Sequence, residues 1–397
     1  MTIGTTTFST ATGDALMAMV HEVFGPPPTP LHRPVFEGNE RSYLVEAIDS
    51  NFVSSVGARV TEFEEQIAAY TGTARAVATV NGTSALHIAL LVAEVRAGDE
   101  VISQALTFVA TCNAISYTGA RPVFVDVDAD TMGMSPTALR NWLEDHASRV
   151  GETSINRKTG ARIAACVPMH TFGLPCRIAE IAAICDEFGI PLIEDAAESL
   201  GSHVGSRHTG RFGKLSTLSF NGNKVITTGG GGMIITDDEA LADRAKHLTT
   251  TAKVPHSWEF RHDEVAYNYR LPNLNAALGC AQMEKLPAML QIKAEVAARY
   301  RGFCAAQGLH FVEPIPGTTA NFWLNAIRLA DRAERDAFLA YTNARGVMTR
   351  PIWSLMSELP AFADCAHDGL ETSIWLADRV VNLPSSVPDS EFHRLKS

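Results

Sequence analysis

The sequence predicts an α/β fold: a mostly parallel sheet with helices on both faces, followed by a smaller C-terminal domain. Three observations predict it. Short apolar strands alternate with helical segments from about Ala74 to Glu194. After Asp195 the rhythm breaks, and two strands follow each other across a glycine-rich loop. The chain has 397 residues, long enough for a large core and two domains.

The elements follow in order. Asp14–Val23 has the pattern of a short amphipathic helix, stopped by Pro26, Pro27, Pro28 and Pro30, and the first thirty residues read as peripheral. Ala76–Val80 reads as a strand and Ser84–Val95 as a helix. Glu100–Ser103, Pro122–Val127, Ala164–Met169 and Pro191–Glu194 are further strands. Between them come helices at Ala110–Tyr117, Pro136–Glu144 and Ile178–Phe188. Such βαβ alternation favours a parallel sheet covered on both faces. Leu215–Phe220 and Met233–Thr236 are the paired strands, followed by a helix at Asp238–Leu248 and a long one at Leu274–Ala297. A strand near Phe322–Leu329 and a helix near Arg332–Asn343 close the chain. The division expected is 1–35 as an N-terminal extension, 36–260 as the large domain and 261–397 as the smaller one.

Composition bounds the function. Hydrophobic residues at 46% and charged residues at 19% describe a globular chain rather than a disordered one. A formal net charge of −11 argues against a nucleic-acid surface, which needs clustered Lys and Arg, but leaves room for a local anion pocket. The seven cysteines are odd in number, widely spaced and without a C-x-x-C pair. They read as reduced, mostly buried thiols of a cytosolic protein. Met1–Met19 lacks the basic start and long apolar core of a signal peptide, and no apolar run reaches the roughly 18 residues of a membrane span.

Three polar clusters fall at strand ends, where open α/β sheets bind ligands. Asn81-Gly82-Thr83-Ser84 opens a helix, and a helix N-terminus with a glycine suits a phosphate, although a plain N-cap by Thr83 or Ser84 gives the same pattern. Asp195 ends a buried strand, where a carboxylate needs a cation. A protonated pyridine nitrogen would supply one; a metal, a helix cap or a ribose are the alternatives. Ser219-Phe220-Asn221-Gly222-Asn223-Lys224 puts a lysine on a tight turn, as a Schiff-base lysine requires, while a lone lysine is ordinarily a surface residue. Ser219 could donate to the same phosphate. Phe108, between a strand and a helix, suits either a core or stacking on a flat ring. Gly229–Gly232 is no dinucleotide fingerprint and reads as a close backbone approach. No G-x-S-x-G elbow occurs, and His87 and His170 lack metal-ligand partners at helical spacing; His87 packs on the helix after Ser84.

As an ordered set, Asn81–Ser84, Phe108, Glu194-Asp195-Ala196-Ala197-Glu198 and Ser219 to Lys224 with its glycine-rich tail resemble the nucleotide-sugar aminotransferases of the DegT/DnrJ/EryC1/StrS group. The resemblance runs from about Phe36 to the C-terminus. It implies the fold-type I, aspartate aminotransferase-like architecture, with pyridoxal 5'-phosphate held in the large domain. Lys224 would carry the cofactor and shuttle protons, Asp195 would pair with the pyridine nitrogen, and Phe108 would stack on the ring. Thr83, Ser84 and Ser219 would hold the phosphate. Glu198, where members often have Gln, would lie near the cofactor. Asn268, in Tyr267-Asn268-Tyr269-Arg270, would reach the phosphate of a neighbouring subunit, which implies a homodimer with shared sites.

Phe36-Glu37-Gly38-Asn39-Glu40, Asn51 to Gly57, Asn221 to Lys224 and Asn382-Leu383-Pro384-Ser385-Ser386 look like the LegC/PglE branch. That branch implies transfer from L-glutamate to C4 of a UDP-linked 4-keto-6-deoxy-N-acetylhexosamine for surface glycans, with Val53–Gly57 on the sugar side. Arg350 is the candidate for the glutamate carboxylate. A sugar dehydratase of the same fold would carry histidine in place of Lys224. A scaffold would have no need of Asp195 with Lys224, and a Rossmann oxidoreductase would show the missing fingerprint.

Overall fold

The computed structural model describes residues 9–396. Residues 1–8, part of the stretch weighed as a signal peptide, lie outside the described residues. The strands of the first half are β1 (Arg75–Thr79), β2 (Glu100–Gln104), β3 (Arg121–Val125), β4 (Ala147–Val150), β5 (Thr153–Asn156), β6 (Arg162–Val167) and β7 (Ile193–Asp195). Then come β8 (His203–Val204), β9 (Arg207–His208), β10 (Leu215–Ser219) and β11 (Gly232–Thr236). β6 and β7 are joined by parallel bridges at Cys166–Leu192 and Met169–Asp195. Among the described residues this gives a central sheet of seven strands in the order β1-β11-β10-β7-β6-β2-β3. Only β11 runs against its neighbours.

The helices are α1 (Thr10–Phe24), α2 (Glu40–Asp49), α3 (Ala58–Thr71), α4 (Gly82–Val92), α5 (Val109–Tyr117), α6 (Pro136–His146), α7 (Ile178–Phe188), α8 (Glu239–Thr249) and α9 (Asn273–Gln307). α4 packs on one side of the sheet with α5 and α8, around Ile88, Leu90 and Ile234. α6 and α7 form a separate core with Ile102 and Val125. The alternating apolar runs become strands for the expected reason: buried on both faces, they are continuously hydrophobic.

Four differences from the sequence reading stand out. Within the first thirty residues, α1 is not peripheral, because its Leu16, Met17 and Val20 are buried against Tyr300, Phe338 and Val347. Residues 36–73, read without elements, hold α2 and α3, which pack on the start of α9. β4 and β5 form an antiparallel hairpin hung on β6. α9 runs 35 residues, past Ala297, because Tyr300 and Cys304 continue its buried stripe.

The C-terminal part carries β14 (His310–Phe311), β16 (Asn325–Arg328), β17 (Arg350–Pro351) and β18 (Val380–Leu383) in an antiparallel sheet, with α10 (Arg332–Ala344) and α11 (Glu371–Ala377). The remaining short strands are β12 (Lys253–Val254), β13 (Arg261–His262) and β15 (Thr318–Thr319). The division expected at residue 261 falls ahead of α9, whose first half serves the large core and whose second half serves this sheet. No helix among the described residues is long and apolar enough to cross a membrane. The seven cysteines are free and buried.

Candidate active site

Three loops at the carboxyl ends of β1, β7 and β10 meet in one cavity of about 340 Å³. Its wall includes Thr83, Phe108, Asp195, Glu198, Ser219 and Lys224. Six of the eight residues picked from the sequence therefore come together. Ser84 and Asn268 do not line it. Ser84 is buried in the first turn of α4, and its N–H is taken by the Asn81 side chain at 2.8 Å. Asn81, not Thr83 or Ser84, is thus the N-cap, and the first helical N–H groups have no partner within the helix. Asn268 is exposed and bridges Thr250.

The anion end is tightly built. A Cβ on Gly82 would stand 2.9 Å from Ser219 Cβ, so only glycine lets the loop lie against the β10 end. Asp195 is 5% exposed and is held by Thr111 Oγ1 (2.7 Å) and the Ala197 N–H (3.1 Å). Phe108 caps α5 and shows half its surface, with Trp353 6.2 Å away. Lys224 follows β10 on a turn closed by its N–H to the Asn221 carbonyl. Its Nζ donates to Glu198 Oε1 at 3.1 Å and lies 3.9 Å from the centre of the Trp323 ring. Burial pushes the Glu198 carboxyl up to about 7, against the pull of Lys224 and the Phe172 N–H. An amine, a carboxylate for a ring cation, a flat aromatic and an anion cradle are the groups that pyridoxal phosphate calls for, so the residues fit it.

Behind the wall, Glu194 is fully buried and accepts from His170 Nε2 and the N–H groups of Gly210, Phe212 and Gly213. Burial alone would raise its pKa; the His170 ring and the backbone donors hold it below its ordinary value. His170 is therefore an ion-pair partner. His87 is buried in α4 among Tyr117, Tyr267 and Tyr269. Arg350 is exposed, bonds Asn343 and the Thr349 carbonyl, and forms no part of the cavity wall. Val53–Gly57 contributes nothing to that wall either.

Thr111, Trp323 and Trp353 are wall residues to which the sequence reading gave no role. Thr111 stands three residues past Phe108, which was the available signal. Trp323 and Trp353 look like core aromatics in sequence.

A family model for the DegT/DnrJ/EryC1/StrS aminotransferases matches residues 35–390. The chain belongs to that family. It is an aminotransferase of the pyridoxal-phosphate-dependent, fold-type I class, and pyridoxal phosphate is its cofactor. The aminotransferase is 36% identical over 333 residues to the putative pyridoxal phosphate-dependent aminotransferase EpsN of Bacillus subtilis, covering 84% of this chain and 83% of the relative. It is 34% identical to the GDP-perosamine synthase of Vibrio cholerae, over 90% of this chain and 93% of the other. The solved aminotransferase TlmJ from Streptoalloteichus hindustanus superposes with a TM-score of 0.82 at 28% identity, covering 93% of this chain and 96% of that one.

Proposed function

We propose that this aminotransferase moves an amino group from L-glutamate to C4 of a nucleotide-linked 4-keto-6-deoxy sugar, with a UDP-linked 4-keto-6-deoxy-N-acetylhexosamine as the substrate. The observation that carries the reading is the convergence of Lys224, Asp195, Phe108 and the Asn81–Thr83 loop on one cavity. The four segments resembling the LegC/PglE branch support the UDP sugar. A GDP-linked ketosugar is the second reading, favoured by the relatives named GDP-perosamine synthases. Asn268, exposed and outside its own chain's cavity, supports a homodimer with shared sites. Seven unpaired, buried thiols support a cytoplasmic enzyme.

Each residue has a task in that reading. The N-terminus of α4, Thr83 and Ser219 would hold the phosphate, and Asp195 would keep a proton on the ring nitrogen. Bound pyridoxal phosphate supplies a carbonyl that condenses with amines and a ring that withdraws electrons from the adjacent carbon. Lys224 Nζ would hold the cofactor between turnovers and, once free, would be the base that accepts the proton from the donor's α-carbon and the acid that returns it. Phe108 and Trp353 shield that space from water. One lysine serving both halves of the reaction predicts ping-pong kinetics.

The test is the visible spectrum of the purified holoenzyme. L-glutamate is expected to bleach its yellow band, and Lys224→Ala reconstituted with cofactor is expected to show neither band nor bleaching. The bleached enzyme should then regain colour with the UDP-linked ketosugar faster than with its GDP-linked counterpart. Recovery with the GDP sugar alone would move the second reading to the front. A holoenzyme that ignores glutamate would sink the assigned donor.

A further inference from the structure

The Lys224 ammonium touches two groups: the Trp323 face, 3.9 Å from Nζ to the ring centre, and Glu198 Oε1 at 3.1 Å. Both partners are buried, and the Lys224 side chain keeps 13% of its exposure. A cation over an indole face is attracted by the ring's quadrupole, more strongly where water is scarce.

The polar groups of Trp323 are tied down. Its N–H donates to Asn321 Oδ1 (2.8 Å), its carbonyl accepts from Lys293 Nζ (3.2 Å), and its Nε1–H donates to the Asn223 carbonyl (2.6 Å). The last bond fixes the ring to the residue before Lys224. Asn321 Nδ2 also donates to the carbonyls of Glu198 and Leu200 (2.8 and 3.0 Å), so one side chain carries both contacts of the amine. Lys293, fully buried on α9, donates to the Ser385 carbonyl (2.6 Å) as well and faces His32. Such a mount exceeds what a space-filling tryptophan requires.

A transaminating lysine must occupy two places. One is its bond to the cofactor; the other is wherever it waits while a substrate amine holds that bond. A flexible four-carbon amine left loose would lose its position for the proton transfer that follows. We propose that the Trp323 face and the Glu198 carboxylate form the resting seat of the free Lys224 ammonium, which makes Trp323 a positioning residue of the reaction. The inference rests on the lysine role given above, but on neither the donor nor the sugar.

The test reads the seat without turnover. The full-length chain, freed of cofactor, is pulsed with a trace of acetic anhydride. Acetylation of Lys224 is measured by peptide mass against the exposed Lys158. Acylation requires the amine to leave the Trp323 face and the Glu198 carboxylate, so losing the seat should raise the ratio. We expect a rise of about fivefold in Trp323→Leu, within the range that a cation–π contact allows. Trp323→Phe should give a smaller rise, and Glu198→Gln should also rise. An unchanged ratio in both Trp323→Phe and Glu198→Gln would overturn the proposal, and these two variants decide it if Trp323→Leu does not fold. In the holoenzyme, Trp323→Phe should slow bleaching by the amino donor while binding a full complement of cofactor. Loss of cofactor at an unchanged labelling ratio would mean that Trp323 merely supports the fold. A wild-type holoenzyme that no amino donor bleaches would refute the role given to Lys224 in transfer, and the labelling ratio would still decide whether its amine sits on Trp323 and Glu198.

Discussion

Asp195 and Glu194 are adjacent carboxylates on a buried strand, and the fold separates their tasks. Successive strand residues face opposite sides, so Glu194 turns to His170 and three backbone N–H groups while Asp195 faces the cavity. What aims Asp195 is the hydroxyl of Thr111. Thr111→Val keeps nearly the same shape and removes that donor. A hydrogen bond to a charged group contributes about 1.5–3 kcal/mol, so the variant should bind pyridoxal phosphate about ten- to a hundredfold more weakly. Absorbance titration of the cofactor-free chain measures this. An unchanged Kd would show that the Ala197 N–H suffices. Asp195 was legible in the sequence because it ends an apolar run. Thr111 was not, because its partner lies 84 positions further on and no local pattern records that pairing. Trp323 was hidden for the same reason: in Phe322-Trp323-Leu324 it reads as one more core aromatic, and only the turn at Asn223 gives its Nε1–H a partner.

At the scale of elements, the phosphate loop is shaped by a strand that pairs beside it. Thr79, the last residue of β1, pairs with Gly232, the first of β11. A Cβ at Gly232 would stand 2.4 Å from the Asn81 carbonyl oxygen and 2.7 Å from the Gly82 nitrogen, all backbone that cannot swing aside. The reading of Gly229–Gly232 as a close approach between elements therefore has its cause here. Gly232→Ala should displace the start of α4, costing about 1–3 kcal/mol of stability and at least tenfold in cofactor affinity. Gly230→Ala, whose Cβ would meet nothing nearer than 3.7 Å, is the matched control. Equal cofactor affinity in the two variants, by the same titration, would refute the argument. The βαβ elements were legible to within a few residues because each is long, apolar and bounded by turns. The β4–β5 hairpin was not, since Ser148, Arg149 and Thr153 give no apolar alternation and its place comes from β5 pairing with β6. α2 was equally hidden: most of its surface is exposed, and α9 gives it a place.

For the whole molecule, α9 joins the large core to the C-terminal sheet, and its Lys293 is the buried amine at that junction. It connects the stretch at His32, the strand entrance at Trp323 and the turn at Ser385. Burial pushes its amine down to about 7 from an ordinary 10.5. Between those values the unfolded chain binds more protons than the folded one, so stability rises with pH across the window; it is lost as pH falls from about 10.5 to about 7 and is level below that. Glu198 has the opposite sign. Burial raises it to about 7 from 4.5, the folded chain binds the extra proton, and stability falls as pH climbs between those values. Urea unfolding of the cofactor-free chain separates the two. Lys293→Met should flatten the rise above pH 7, changing the wild-type-minus-variant difference by roughly 3 kcal/mol up to pH 10. Glu198→Gln should leave that rise intact and remove the fall between about pH 4.5 and 7. Parallel curves for wild type and Lys293→Met would mean that the amine stays charged when buried. The carbonyls of Trp323 and Ser385, with His32, would then be holding an ammonium, and the junction would depend on charge-assisted bonds at every pH at which the enzyme folds.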